Sequence, residues 1–209
     1  MARLIQAKCK LCRAYGDKLF LKGAKCTGDK CPLAKRPFGP GQHGKTRRRK
    51  ESNYGLQLRE KQKAKRIYGL LERQFHKYFK LAERSKGVTG HVLLAFLERR
   101  LDNVVFRLGF AYSRQHARQL VRHNHAYINE KKVNIPSYIV REGDTVQLRG
   151  REKTLKKLSE IRKELESRIV PKWLERDKDS PKGTVKRLPQ RDELDFSIQE
   201  QLIVELYSK

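Results

Sequence analysis

Ser113-Arg114-Gln115-His116-Ala117-Arg118-Gln119-Leu120-Val121-Arg122-His123 is the stretch on which the reading of this chain turns. Ser113 makes a good helix N-cap, because its hydroxyl can accept a bond from a first-turn amide. In a helix begun there, Arg114, Arg118 and Arg122 recur every fourth residue on one face, with Ala117, Leu120 and Val121 facing inward. No acid between Ser113 and Asn129 neutralises the stripe. Guanidinium groups fork onto phosphate oxygens and stack on bases, so three at helical pitch can follow a sugar–phosphate backbone. Gln115 and His123 join that surface. His116 and His125 sit beside it and are assigned no catalysis.

Downstream the periodicity shortens. Ala126-Tyr127-Ile128, Lys132-Val133, Tyr138-Ile139-Val140 and Thr145-Val146-Gln147-Leu148 read as short strands, and Thr184-Val185-Lys186 as a further one. Asn129-Glu130, Pro136-Ser137 and Glu142-Gly143-Asp144 supply the turns. Upstream, Val92-Leu93, Phe96-Leu97, Leu101, Val104-Val105 and Leu108 keep three- and four-residue intervals. That spacing predicts one continuous amphipathic core helix, kinked near Leu101. The expected unit is a set of helices packed on a small, mostly antiparallel sheet, in an α+β chain.

Further out, helices dominate. One begins with Tyr54, Leu58, Gln62 and Lys65 and carries Arg59, Lys61, Lys63, Lys65 and Arg66 on an outer basic face. A second runs through Leu70-Leu71, Phe75, Tyr78-Phe79 and Ala82, ending before Gly87-Val88-Thr89-Gly90. Glu152 to Arg168 reads as another, with Leu155, Leu158, Ile161 and Leu165 inward. Ile198, Leu202-Ile203 and Leu206-Tyr207 mark a terminal helix.

Four cysteines stand near the amino end, Cys9, Cys12, Cys26 and Cys31, spaced as C-x2-C, thirteen residues, then C-x4-C. Two close pairs across a loop suit a tetrahedral four-thiolate zinc site, closed and therefore structural. An iron–sulfur cluster also takes four cysteines, and disulfides or free thiols are the remaining readings. Lys18-Leu19-Phe20-Leu21, inside the cysteine loop, is a strand or a packing rib. Arg36-Pro37-Phe38-Gly39-Pro40-Gly41-Gln42-His43-Gly44 must be loop, for two prolines and three glycines exclude a helix or central strand. Lys45, Arg47, Arg48, Arg49 and Lys50 then form a basic run of the kind that orders on a polyanion.

The whole composition agrees with a polyanionic partner. Over 209 residues, 50 Lys and Arg face 23 Asp and Glu, a net charge of +27. Such a surplus repels itself unless something neutralises it. The opening Met1-Ala2-Arg3-Leu4-Ile5 has no apolar signal core, and no stretch nears the ~18 apolar residues of a membrane span. The expectation is a cytosolic protein with no membrane partner, where thiols stay reduced and metal is favoured over disulfides.

Arg100-Leu101-Asp102-Asn103-Val104-Val105, Leu108-Gly109-Phe110 and the Arg114–Arg122 helix resemble the RNA-binding module of bacterial ribosomal protein S-four. Pro40-Gly41-Gln42-His43-Gly44 resembles that family's proline–glycine loop. Leu58-Arg59-Glu60-Lys61-Gln62-Lys63, Arg66-Ile67-Tyr68-Gly69, Glu72-Arg73-Gln74-Phe75 and Gln201-Leu202-Ile203-Val204-Glu205-Leu206-Tyr207-Ser208-Lys209 extend the likeness over nearly the whole chain. The four cysteines place it with the zinc-bearing subset.

The resemblance implies an organisation. A metal-pinned arm and loop would span 1–45, and a helical domain 46–98, completed by the last helix at 188–209. An inserted RNA-binding domain would span 99–187. It also implies a structural constituent of the small ribosomal subunit that binds 16S RNA, nucleates assembly of the subunit body, and contributes to translational accuracy. Its neighbours would be ribosomal protein S-five and messenger RNA at the entry path. With the residues above, the expected RNA contacts are Arg36, His43, Lys45, Arg47, Arg48, Arg49, Lys50, Arg59, Lys61, Lys65, Arg66, Arg73, Arg100, Arg114, Gln115, Arg118, Arg122 and His123. One departure stands out. The family often has Asn-Gly in the hairpin where this chain has Asn129-Glu130, so Glu130 adopts positive φ or the turn takes another geometry.

Two other classes of function share features with this chain. Arg100-Leu101-Asp102 imitates the catalytic tripeptide of pseudouridine synthases, which carry the same module, but the chain lacks room for a separate catalytic domain. A DNA-binding zinc protein would want a recognition helix beside the metal or a dimer interface, and neither is evident. No catalytic residue is expected.

Overall fold

The computed structural model describes residues 5–46, 50–166, 168–177, 180–194 and 198–208. In chain order the helices are α1 (Lys8–Tyr15), α2 (Ala24–Thr27), α3 (Pro32–Lys35), α4 (Asn53–Ile67), α5 (Glu72–Glu83), α6 (Thr89–Glu98), α7 (Leu101–Arg107), α8 (Arg114–Arg122), α9 (Glu152–Glu164) and α10 (Glu200–Tyr207). The strands are β1 (Ala126–Ile128), β2 (Lys131–Lys132), β3 (Thr145–Leu148), β4 (Leu174–Arg176) and β5 (Lys182–Val185). The chain forms two compact units, one of Met1–Leu93 with Phe196–Lys209 and one of Leu94–Asp195. Helices make up the first, and helices on a small antiparallel sheet the second, which is an α+β chain.

In the first unit, α4 starts at Ser52, whose Oγ accepts from the Gly55 amide at 3.2 Å. It packs on α10, where Gln57 Nε2 donates to Glu205 Oε2 at 2.9 Å. The Phe79 and Tyr207 rings, 4.5 Å apart, close α5 onto the same helix. The expected outward basic face of α4 needs correction, because Lys61 and Lys63 are buried. Basic residues at 59, 61, 63, 65 and 66 cannot all lie on one side of a 3.6-residue repeat. Those two send their apolar stems inward and place their amines on Glu72 and Asp17, at 2.7 and 2.9 Å. Leu70 and Leu71 precede α5 instead of opening it. Leu19 is a packing rib, buried with no strand around it.

In the second unit, the continuous helix expected from Val92 to Leu108 is two helices. Arg100 between them is extended, with φ −64° and ψ 137°. The loop at 136–140 causes the break. The Leu101 amide donates to Tyr138 O at 2.8 Å, the Asp102 amide to Pro136 O at 3.2 Å, and the Val140 amide to Arg99 O at 2.9 Å. Carbonyls from another segment thus satisfy the first amides of α7, where an intrahelical partner is lacking. The stretch expected as a strand at 138–140 serves as this brace, through a single bridge between Arg100 and Ile139.

Among the described residues the sheet runs β2-β1-β3-β5-β4, every neighbouring pair antiparallel. Ala126, Ile128, Val146, Leu148, Leu174 and Val185 point into the core from one face, against α7 and α8. Trp173, fully buried, fills the end of that core. Strand β4 had no counterpart in the sequence reading, since Leu174-Glu175-Arg176 offers one apolar residue and no alternation. α9 stops at Glu164, and Leu155, expected inward, is 41% exposed.

The hairpin between β1 and β2 answers the question left at Asn129-Glu130. Both residues take positive φ, 46° and 68°, the signature of a type I′ turn. Asn129 steadies it: its Oδ1 accepts from the Thr145 amide at 2.9 Å, and its Nδ2 donates to Asp144 Oδ1 at 2.8 Å.

Candidate nucleic-acid interface

α8 is seated by its cap and by a charged lattice beneath it. Ser113 Oγ accepts from the His116 amide at 3.3 Å. Arg114 Nε donates to Asn103 Oδ1 at 2.7 Å, and its guanidinium lies 4.5 Å from the Phe106 ring centroid. Asn103 in turn donates to Glu98 Oε2 at 2.8 Å, and Glu98 holds Arg107 through two bonds of 2.9 Å. Asp102 receives Arg100 and stands 3.8 Å from Arg118. Glu98, Arg100, Asp102, Asn103, Arg107 and Arg114 are all buried. Buried charges persist only when paired and hydrogen-bonded, which this lattice achieves with residues on both sides of the helix break.

The arginine stripe is therefore graded. Arg114 is buried, Arg118 partly buried beside Asp102, and Arg122 exposed, with exposed Gln115 and His123 alongside. Two sequence assignments need correction. Arg100 is 1% exposed, and Arg114 is buried as well. Neither presents a guanidinium that a phosphate could reach, because each serves the seating of α7 and α8. Asp102 meets Arg100 at the base of α7, so the tripeptide that imitates a synthase is a structural ion pair.

In the first unit, Arg36, His43, Lys45, Lys50 and Arg73 are exposed. Arg47, Arg48 and Arg49 lie outside the described residues. Arg59 bonds Glu51 and donates to Tyr15 O at 2.8 Å, and Arg66 donates to the Tyr15 hydroxyl. Lys61 is withdrawn from the expected contacts by its burial. It and Lys65 donate to the two oxygens of Glu72 at 2.7 and 2.9 Å. Burial pulls the Glu72 carboxyl up, but bonds from Lys61, Lys65 and Tyr207 outweigh it and hold the group down to about 2. The proline–glycine loop is pinned by Arg13, which donates to Phe38 O and Gly39 O, both at 3.0 Å.

Cys12, Cys26 and Cys31 are buried and Cys9 half-buried, and none of the four is in a disulfide. Burial pushes the Cys12 thiol up, an amide bond from Leu19 partly offsets this, and the nearby sulfurs of Cys26, Cys9 and Cys31 add to the rise. The Lys22 amide donates to Cys26 Sγ at 3.3 Å. Four thiols with amide donors are chemistry that suits a soft metal ion. Among the described residues, no three His, Cys, Asp or Glu side chains are gathered closely enough to hold one.

Residues 3–98 match the family described as the ribosomal protein S4/S9 N-terminal domain, and residues 99–146 match the S4 domain. The chain is 58% identical, over the full length of both, to small ribosomal subunit protein uS4A of Symbiobacterium thermophilum. Identity is 54% to small ribosomal subunit protein uS4 of Syntrophus aciditrophicus and 57% to that of Desulfovibrio desulfuricans, again over the full length of each. The chain belongs to the uS4 family of ribosomal proteins. It is a structural and not an enzymatic family.

Within this uS4-family chain, sequence reasoning missed three functional supports. Glu98, unremarked in the sequence, anchors Asn103 and Arg107. Arg168 lies 4.2 Å from the Phe106 centroid, on the ring that also carries Arg114. Arg149 covers the Tyr127 ring at 5.0 Å, so the uS4 sheet shows an aromatic and a cation on its outer face. Only Glu98 carried a signal, as the sole acid on an otherwise apolar helix. No helix among the described residues is long and apolar enough to cross a membrane.

Proposed function

We propose that this chain binds small-subunit (16S) ribosomal RNA directly and works as a structural constituent of the small ribosomal subunit in the cytoplasm. The observation that carries the reading is the α8 face, where Arg122, Gln115 and His123 are exposed over a buried lattice that fixes the helix. A fixed helix presents its guanidinium groups with little ordering left to do on binding, which favours affinity. In the second unit Arg118 stands at the rim of that lattice, and in the first unit Arg36, His43, Lys45, Lys50 and Arg73 are exposed cations of its own surface. Arg47, Arg48 and Arg49 belong to the same reading on their sequence alone. RNA junctions are recognised through shape and phosphates, so a wide spread of cations suits them.

The same reading makes the protein an early organiser of the subunit body and a contributor to translational accuracy, next to ribosomal protein S-five and the incoming messenger. It also gives Cys9, Cys12, Cys26 and Cys31 a zinc ion, with an iron–sulfur cluster as the alternative. The support is spacing, burial and the two amide donors. Bound zinc would supply no chemistry beyond a structural clamp on the arm.

The test is competition between a folded 16S fragment and duplex DNA for the full chain across a salt series. Preference for the RNA at physiological salt, with affinity falling steeply as salt rises, supports the reading. Equal binding of both would overturn it.

A further inference from the structure

We propose that Phe20 is a base-stacking residue, whose ring takes an unpaired nucleobase of the bound RNA; the proposal rests on the RNA-binding reading above. Three observations carry it. The first is conformational. Phe20 has φ 48°, the left-handed region that crowds any residue with a Cβ and that Gly or Asn would occupy more cheaply. A bulky side chain held there is strain, and strain persists where the surroundings impose it. A substantial part of the residue stays open to solvent, for Phe20 is 40% exposed while its neighbour Leu19 is sealed in the interior.

The second is the way the loop is held. The Lys22 amide bonds Cys26 Sγ at 3.3 Å and Leu19 is buried beside Phe20, so the loop is tied on one flank to a cysteine pair and on the other to the interior. The ring is thus presented from a fixed position.

The third is charge. Lys18 and Lys22 flank Phe20 two places away on either side in the sequence, Lys25 follows, and all three are exposed, with no acid from Lys18 to Cys26. The nearest acid before them, Asp17, is engaged by Lys63 at 2.9 Å. A partly exposed aromatic ring on a segment rich in cations matches a nucleotide with phosphates on either side of its base. Stacking is tolerant of sequence because every base has a π-face. An apolar patch on a neighbouring protein would have no use for the three lysines.

The experiment compares the full chain with Phe20→Trp, Phe20→Leu and Phe20→Gly on a folded 16S fragment, reading affinity, salt slope and melting temperature. Leu keeps the backbone demand and the apolar volume but has no π-face. The expected result is that Phe20→Leu and Phe20→Gly weaken binding by about 5- to 150-fold, the range of one base–aromatic stack. Salt slope and melting of the Leu variant stay unchanged, since no charge is altered. Phe20→Trp retains affinity, and its added emission is quenched by the RNA. If Phe20→Leu binds as the parent does, the stacking assignment is overturned, and loss in Phe20→Gly alone would show a merely apolar contact. If the parent itself shows no preference for the RNA, the broader reading fails instead.

Discussion

Asp102 grips the Arg100 guanidinium through two bonds, 3.0 Å from Nε to Oδ1 and 2.6 Å from Nη2 to Oδ2, with both side chains sealed from solvent. Removing one partner leaves a buried charge uncompensated. Asp102→Ala should therefore lower unfolding free energy by about 3–5 kcal/mol, read by denaturant titration. An apolar replacement of both residues should recover much of that loss. A cost below about 1 kcal/mol for the single change would contradict the role given to the pair.

Arg122 is exposed where Arg114 is buried, so the two should separate binding from folding. Arg122→Ala should weaken RNA binding and reduce the slope of log K against log salt by about 0.7–0.9, with melting unchanged. Arg114→Ala should lower the melting temperature. Arg118→Ala, beside Asp102, should show both effects in part. Titrations at several salt concentrations, paired with calorimetry, would test this, and an unchanged slope for Arg122→Ala would remove it from the interface.

Cys9→Ser tests the metal. On the zinc reading the parent should purify with the metal and the variant without it, and the variant's arm should become more open to protease. The unit from Leu94 to Asp195 should melt as before. Elemental analysis and limited proteolysis give the readout, and parent protein free of metal with an intact arm would overturn the assignment.

Glu72 links stability to pH. Its folded pKa of about 2 lies below the ordinary 4.5, so the charged form favours the folded state. That contribution is fully present above pH 4.5 and is lost as pH falls towards 2. Glu72→Gln should flatten this part of the stability profile while lowering stability at neutral pH. Nearly half of the side chain is exposed, so solvent screening keeps the effect modest. Parallel unfolding curves of parent and variant over acidic pH would contradict the linkage.

Glu130 at φ 68° invites relief. Glu130→Gly should stabilise the second unit by a few tenths to about 1 kcal/mol, since Gly carries no Cβ penalty in the left-handed region, less its own entropy cost. The ion pair forfeited, to Arg149 at 4.0 Å and largely exposed, is worth little. A fall in melting temperature would show that Glu130 makes a contact stronger than that pair.

Helices with plain periodicity, such as α8 with its cap at Ser113 and α4 from its apolar spacing at Tyr54 and Leu58, were legible from residue order. So were the turn at Asn129-Glu130 and the apolar face that packs on the sheet. A kink near Leu101 was legible but a full break at Arg100 was not, because apolar residues on either side keep one helical phase and the cause is a set of carbonyls some 35 residues downstream, at Pro136 and Tyr138. Strand β4 was equally hidden, since its three residues gain their order from pairing with β5.

Chemical character was local information: net charge, arginine pitch, four thiols in two pairs. Each depends on residue type and on neighbours a few places away, which a linear chain displays. Which cations face solvent was decided by folding. Arg100, Arg114, Lys61 and Lys63 read like any other basic residue, but Asp102, two places on from Arg100, and the more distant Asn103, Glu72 and Asp17 draw them inward or hold them there. A charge is buried or displayed according to whether a partner arrives to replace its water, and that partner is assigned only by the three-dimensional path of the chain.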